Sequence, residues 1–236
     1  MTDELCKSDS YLQSCEAEVT GVDEGGIRLD RTVFYATGGG QPGDTGTLVL
    51  ADGREMAIAD TRREGEGGEP LHIPVEGSPL PRVGEQVVAR IDWERRHRLM
   101  RMHSAMHLLC SLVEGGVTGG SVGTERSRLD FNLQESPDKA VLEAALNRVI
   151  EENHPVSIGA ISDAELEANP GLVRTMSVQP PKGGGQVRTV RIEGVDYQPC
   201  GGTHVRATGE IGRVRIGKVE NKGRQNRRIN LHLVDE

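Results

Sequence analysis

The sequence predicts an α+β protein: a small N-terminal β-barrel, then an α/β domain with helices packed on a mostly antiparallel sheet. Three observations predict it. Short β-prone runs alternate with glycine-rich turns up to about residue 90. Helical periodicity then begins abruptly at Trp93. Beyond it, helical and strand-like patterns are interleaved, as in a sheet covered by helices. The division falls between residues 1–90 and 91–236.

In the first part, strands are expected at 16–22, 32–35, 45–50, 55–60 and 86–91, and no long helix. Leu99, His103, Met106, His107 and Cys110 recur at helical spacing, which predicts one apolar stripe on a helix over about 93–114, ended by Gly115 and Gly116. Residues 127–133 read as a strand. Ser136 is the expected N-cap of a second helix, with Pro137 in its first turn. Val141, Leu142, Ala145, Leu146, Val149 and Ile150 form its apolar face, and His154-Pro155 stops it. A strand follows at 156–161. Ser162 with Glu165 forms a capping box for a short third helix that ends at Asn169-Pro170-Gly171. The last strands are 187–192, 211–219 and 228–234, the final two joined as a hairpin through 221–226.

The formal charge of the 236 residues is −8, which taken whole argues against a polyanionic partner. The partition reverses that argument. Residues 1–87 carry a net −10 and residues 88–236 a net +2. Within 205–234, eight cations (Arg206, Arg213, Arg215, Lys218, Lys222, Arg224, Arg227 and Arg228) face only Glu210 and Glu220. Arg90, Arg95, Arg96, Arg98 and Arg101 form a second cluster. An anionic partner for the C-terminal part is therefore expected. No apolar run approaches the ~18 residues of a membrane span. The acidic N-terminus lacks the apolar core of a secretory leader, so a cytoplasmic protein without a membrane partner is expected. Four cysteines in a chain of this length do not make a disulfide framework.

His103 and His107 lie four apart on a helix, so both imidazoles point the same way, along the apolar stripe. Two core histidines bonded to carbonyls would explain them alone. Cys200-Gly-Gly-Thr-His204 adds a thiol and a third imidazole on a glycine-rich turn. Three nitrogens and one sulfur suit a tetrahedral zinc ion held by His103, His107, Cys200 and His204. Ser104, Ala105 and Met106 separate the first two histidines, so the glutamate base of an HExxH metalloprotease is missing. Four protein ligands are the usual count for a structural site, which leans against catalysis at the metal. The segment Phe34-Tyr-Ala-Thr-Gly38-Gly39-Gly40-Gln41-Pro-Gly43-Asp44-Thr-Gly46 is too rich in glycine for a simple hairpin and lacks the Lys-Ser/Thr of a P-loop. It is either a wide turn between barrel strands or a place of close backbone approach.

Together these residues resemble the editing half of alanyl-tRNA synthetase and, in free-standing form, the AlaX-type trans-editing proteins. The matching motifs are FYATGGGQPGDTG (34–46), RMHSAMHLL (101–109), VTGG (117–120), RLDF (128–131), CGGTHV with TGEIG (200–212) and KVENKGRQNRRI (218–229). The metal tetrad is shared with threonyl-tRNA editing domains, whereas the glycine motif points to the alanyl side and to the longer class with an N-terminal barrel. The resemblance implies hydrolysis of the ester joining a wrong amino acid, chiefly serine and sometimes glycine, to tRNA(Ala), without ATP. It implies a catalytic set of His103, His107, Cys200 and His204, with Thr118 as the candidate sensor of the serine hydroxyl. Backbone N–H groups around Gly201 and Gly202 are the expected oxyanion donors. The tRNA is expected along Arg213, Arg215, Lys218, Lys222, Arg224, Arg227 and Arg228, with Arg95, Arg96 and Arg98 as further contacts. No obligate protein partner is evident. Three other readings remain open at this stage: a zinc-stabilised RNA-binding module without catalysis, editing of a threonyl-tRNA, and another ester hydrolase using one of the two Gly-Gly-Gln tripeptides (39–41 and 184–186).

Overall fold

The computed structural model describes residues 1–65, 67–176 and 185–234, and the chain divides into two compact units, Met1–Arg98 and Leu99–Glu236. The boundary lies eight residues beyond the expected one. It falls inside the first helix because that helix's opening turns are bonded to the N-terminal unit.

The N-terminal unit contains β1 (Asp3–Glu4), β2 (Ser14–Asp23), β3 (Gly26–Leu29), β4 (Arg31–Thr32), β5 (Gly46–Leu50), β6 (Glu55–Arg63), β7 (Pro70–Pro74) and β8 (Gln86–Ile91). Six of these close an antiparallel barrel in the order β2-β3-β7-β6-β5-β8, and β1 pairs with β4 beside it. Inward residues alternate along each strand. Val19, Ile27, Leu29, Leu48, Met56, Ile58 and Ala89 fill the interior with Phe34. The expected strand at 32–35 stops at Thr32. Side-chain acceptors replace the ladder there: Phe34 N donates to Thr32 Oγ1 (3.0 Å) and Tyr35 N to Asp44 Oδ2 (2.6 Å).

The glycine motif packs this unit together. Gly40 has φ +81°, a conformation open to glycine. A Cβ on Gly43 would lie 1.9 Å from the carbonyl oxygen of Thr61, so only glycine lets the two backbones meet. Asp44 is the hub. Its carboxylate receives Arg96 Nε (2.9 Å) and Nη2, while Arg96 also donates to the carbonyls of Ser10 (3.0 Å) and Val33 (2.7 Å). Arg96 is wholly buried. The expectation that it contacts an external anion is therefore corrected: its fork is saturated inside the protein. Gln41 is also fully buried, so the first Gly-Gly-Gln presents no glutamine to a substrate. The second begins at Gly184, outside the described residues.

The first helix, α1, spans Trp93–Leu112. From Leu99 to Cys110 every residue except the half-buried Arg101 is buried. The expected single stripe is thus corrected to a helix enclosed on nearly all sides, and both histidines lie in that enclosed stretch.

The C-terminal unit adds β9 (Val117–Ser121), β10 (Ser127–Phe131), α2 (Lys139–Glu151), β11 (Val156–Ser162), α3 (Asp163–Ala168), β12 (Gln186–Ile192), β13 (Asp196–Pro199), β14 (Val214–Gly223) and β15 (Asn226–Leu233). Two antiparallel sheets result, β14-β15-β10-β9 and β11-β12-β13. The N-cap of α2 is Asp138, not Ser136. Its carboxylate accepts from the N–H groups of Ala140 and Val141. Val141 faces solvent at 68% exposure, while Leu142, Leu146, Val149 and Ile150 are buried as expected. The capping box at Ser162 and Glu165 forms as the sequence predicts. Ile211 belongs to a 3-10 turn (Thr208–Ile211) rather than to the strand, which starts at Val214.

Strand β14 is the edge of its sheet, and α2 covers the N-terminal end of that edge. Asn147 pairs with both backbone groups of Val214 (2.9 Å each), and Glu143 Oε2 accepts from Ile216 N (2.8 Å). Covering an edge in this way blocks strand addition.

Candidate metal centre

Two segments of the C-terminal unit converge. Helix α1 presents His103 and His107 one turn apart, with ring centroids 5.3 Å from each other. The turn that follows β13 presents Cys200 and His204. Cys200 Sγ lies 3.7 Å from His103 Nε2 and 3.2 Å from His204 Nε2. One donor atom from each of the four residues falls within 4.8 Å of the others. All three imidazoles are buried.

The surroundings orient the donors. His107 Nδ1 is 2.9 Å from Asp196 Oδ2, and His204 Nδ1 is 3.1 Å from Ser104 Oγ, which also accepts from Val205 N (3.2 Å). Each contact engages the nitrogen away from the cluster and leaves Nε2 facing Cys200. Arg188 Nη1 clamps the turn by donating to the carbonyls of Cys200 (2.6 Å) and Gly202 (2.9 Å). Gly202 N donates to Cys200 Sγ (3.4 Å). This N–H, one of the expected oxyanion donors, therefore faces the sulfur in this structure. Neither Gly201 nor Gly202 adopts a positive φ.

Burial alone would raise the Cys200 thiol, but the charges of His103, His204 and His107 outweigh it and hold the thiol well below its usual range. Burial and the neighbouring His103 push His204 down. A thiolate among imidazoles is a donor set for a soft or borderline cation.

Thr118 occupies a β-bulge. Gly119 pairs with Asp130 and Val117 with Phe131, so Thr118 is the extra residue, and bulges re-aim side chains. Its hydroxyl donates to Asn226 Oδ1 (3.1 Å). Of the expected tRNA-binding cations, Arg213, Arg215, Lys218, Lys222 and Arg224 are exposed, and Lys222 pairs with Glu220. Arg227 departs from the expectation. It is buried, and its fork bonds Asn221, the carbonyls of Gly223 and Asn226, and that of Gln134. Arg228 forms a two-pronged ion pair with Asp130 (2.8 Å).

Residues 187–230, which include Cys200 and His204, match the family described as the threonyl and alanyl tRNA synthetase second additional domain. Residues 8–95 match the class II (A) tRNA synthetases. An alanyl-tRNA editing protein AlaX-M from Methanosarcina acetivorans is 40% identical, with all of both chains aligned. This chain belongs to the AlaX-M family. A second member, from Saccharolobus solfataricus, is 36% identical over 97% of this chain and 98% of its own. An alanine–tRNA ligase from Pyrobaculum arsenaticum is 37% identical over 93% of this chain, which corresponds to 25% of the ligase.

For this AlaX-M family member, motif spacing identified the four clustered donors but not Asp196, Ser104, Gln198 or Arg188. Only Ser104, lying between the two histidines, carried a local signal. No described helix is long and apolar enough to cross a membrane.

Proposed function

We propose that the chain is a cytoplasmic trans-editing hydrolase. It removes a wrong amino acid, chiefly serine and also glycine, from tRNA(Ala) by hydrolysing the aminoacyl ester. The observation that carries this reading is the buried convergence of His103, His107, Cys200 and His204 in a chain aligned end to end with alanyl-tRNA editing proteins.

The cluster fits zinc. Zn–S near 2.3 Å and Zn–N near 2.05 Å in a tetrahedron separate sulfur from nitrogen by about 3.5 Å. The two sulfur–nitrogen separations in the cluster, 3.2 and 3.7 Å, bracket that value. His103, His107 and His204 would hold the ion through Nε2 and Cys200 through its thiolate. When bound, zinc supplies Lewis-acid polarisation of an ester oxygen.

The chain's own groups do the rest. Thr118 donates to Asn226, and a threonine hydroxyl oxygen is chemically able to accept from a serine hydroxyl. Alanine brings no such donor, and a polar site left unpaired discriminates against the analogue that lacks the group. Exposed Arg213, Arg215, Lys218, Lys222 and Arg224 meet phosphates and position the tRNA without reading its sequence.

The test is release of serine, glycine and alanine from tRNA(Ala) charged with each. Serine is expected to leave faster than alanine; equal rates overturn the reading. Cys200→Ala should slow serine release by more than the roughly 10–100-fold typical of losing an outer-shell partner. Arg213→Ala with Arg215→Ala should weaken tRNA binding and flatten its salt dependence.

A further inference from the structure

Behind the four donors lies a buried carboxylate, that of Asp196. The Asp196 side chain is fully buried. Its Oδ2 meets His107 Nδ1 at 2.9 Å and Gln198 Nε2 at 2.8 Å, while its Oδ1 is buried with no hydrogen-bond partner among the described residues. A buried, half-satisfied carboxylate is costly, and its position behind His107 gives it a role that would offset the cost. Asp196 and Gln198 are two apart on β13, hence on one face. Gln198 Nε2 therefore also comes within 3.1 Å of His107 Nδ1.

Two groups thus compete for one imidazole nitrogen, with opposite consequences. A carboxylate oxygen can only accept, so it demands a proton on Nδ1 and leaves the Nε2 lone pair toward Cys200. An amide N–H can only donate, so it favours a bare Nδ1 and moves the proton to Nε2, the atom that faces the cluster.

We propose that Asp196 is a positioning residue for the metal centre. It wins this competition, fixing His107 as the Nδ1–H tautomer and tying up the Gln198 amide that would otherwise enforce the other. The inference rests on the metal reading above. It yields an outcome that lost packing does not: removing Asp196 should damage the site mainly because Gln198 is still there.

The experiment follows zinc release to a chromogenic chelator from the zinc-loaded protein, its Asp196→Ala variant, and Asp196→Ala combined with Gln198→Met. Absorption spectra of the cobalt-substituted forms and circular dichroism accompany it. Asp196→Ala is expected to release zinc about 10–100-fold faster, with an altered cobalt spectrum and native dichroism. The double variant should recover several-fold toward the parent rate. Two results overturn the inference: a folded Asp196→Ala protein that keeps the parent rate and spectrum, or a double variant that releases zinc faster still. The Gln198→Met single variant, which leaves Asp196 in place, should retain zinc within a few-fold of the parent; a loss as large as that of Asp196→Ala also overturns it. A parent chain that takes up no zinc removes the metal reading itself, and the inference with it.

Discussion

In the N-terminal unit a buried guanidinium meets a buried carboxylate, and acceptors from Ser10, Val33 and Asp44 surround Arg96. In the C-terminal unit three buried imidazoles and a thiol turn toward one another, with a carboxylate behind them whose second oxygen has no partner. Both arrangements bury polar groups from distant parts of the chain. The first satisfies itself and needs nothing more. The second gathers four side chains that can each offer a ligand atom to a metal ion. What a buried polar cluster offers, a closed ion pair or a set of ligand atoms, thus separates architecture from candidate site.

The contrast is tested most severely at Asp44. Asp44→Ala leaves Arg96 buried and uncompensated, and should cost about 3–5 kcal/mol in urea unfolding while metal uptake by the folded fraction is unchanged. A loss below about 1 kcal/mol would mean that the pair does not clamp the unit.

A second test uses His72, buried in the barrel. Its Nδ1 donates to the carbonyl of Ile27 (3.0 Å), and its Nε2 accepts from Thr32 Oγ1 (2.8 Å). Burial pushes it down to about 4, from an unfolded value near 6.5. Between those values the unfolded chain binds the extra proton. Its contribution to stability is therefore complete above about pH 6.5 and lost as pH falls toward 4, by up to about 3 kcal/mol. His72→Gln should flatten the stability–pH curve in that window; an unchanged slope would assign the acid sensitivity elsewhere.

The smallest effect compares two glycines. Gly43→Ala drives a Cβ into the Thr61 carbonyl and should cost about 1–3 kcal/mol. At Gly201 a Cβ meets nothing within 4 Å, and Ala there should change stability by less than about 0.5 kcal/mol. Thermal denaturation of the two variants side by side decides it, and equal losses would undo the distinction.

The four clustered donors, the amphipathic second helix and the capping box at Ser162 were legible because each is a local pattern of fixed spacing. Strands such as β3 and β13 were not, since four-residue runs carry too little periodicity. Asp138 displaced Ser136 as N-cap because Pro137 lies outside the helix that forms. Arg96 and Arg227 read as surface cations from composition, which is blind to burial. Asp196 and Gln198 act on a histidine about ninety residues away in sequence, and only the fold brings them together.

The covered end of the β14 edge has a consequence for whatever meets that surface. Asn147 and Glu143 already occupy its backbone groups at Val214 and Ile216, while Arg213, Arg215 and Lys218 stand exposed along it. At that end of the strand a visitor finds charge and backbone groups that are already paired. Charge contacts of this kind fix no register, so a polyanion meeting this face would be held there by its charge and not read by its sequence.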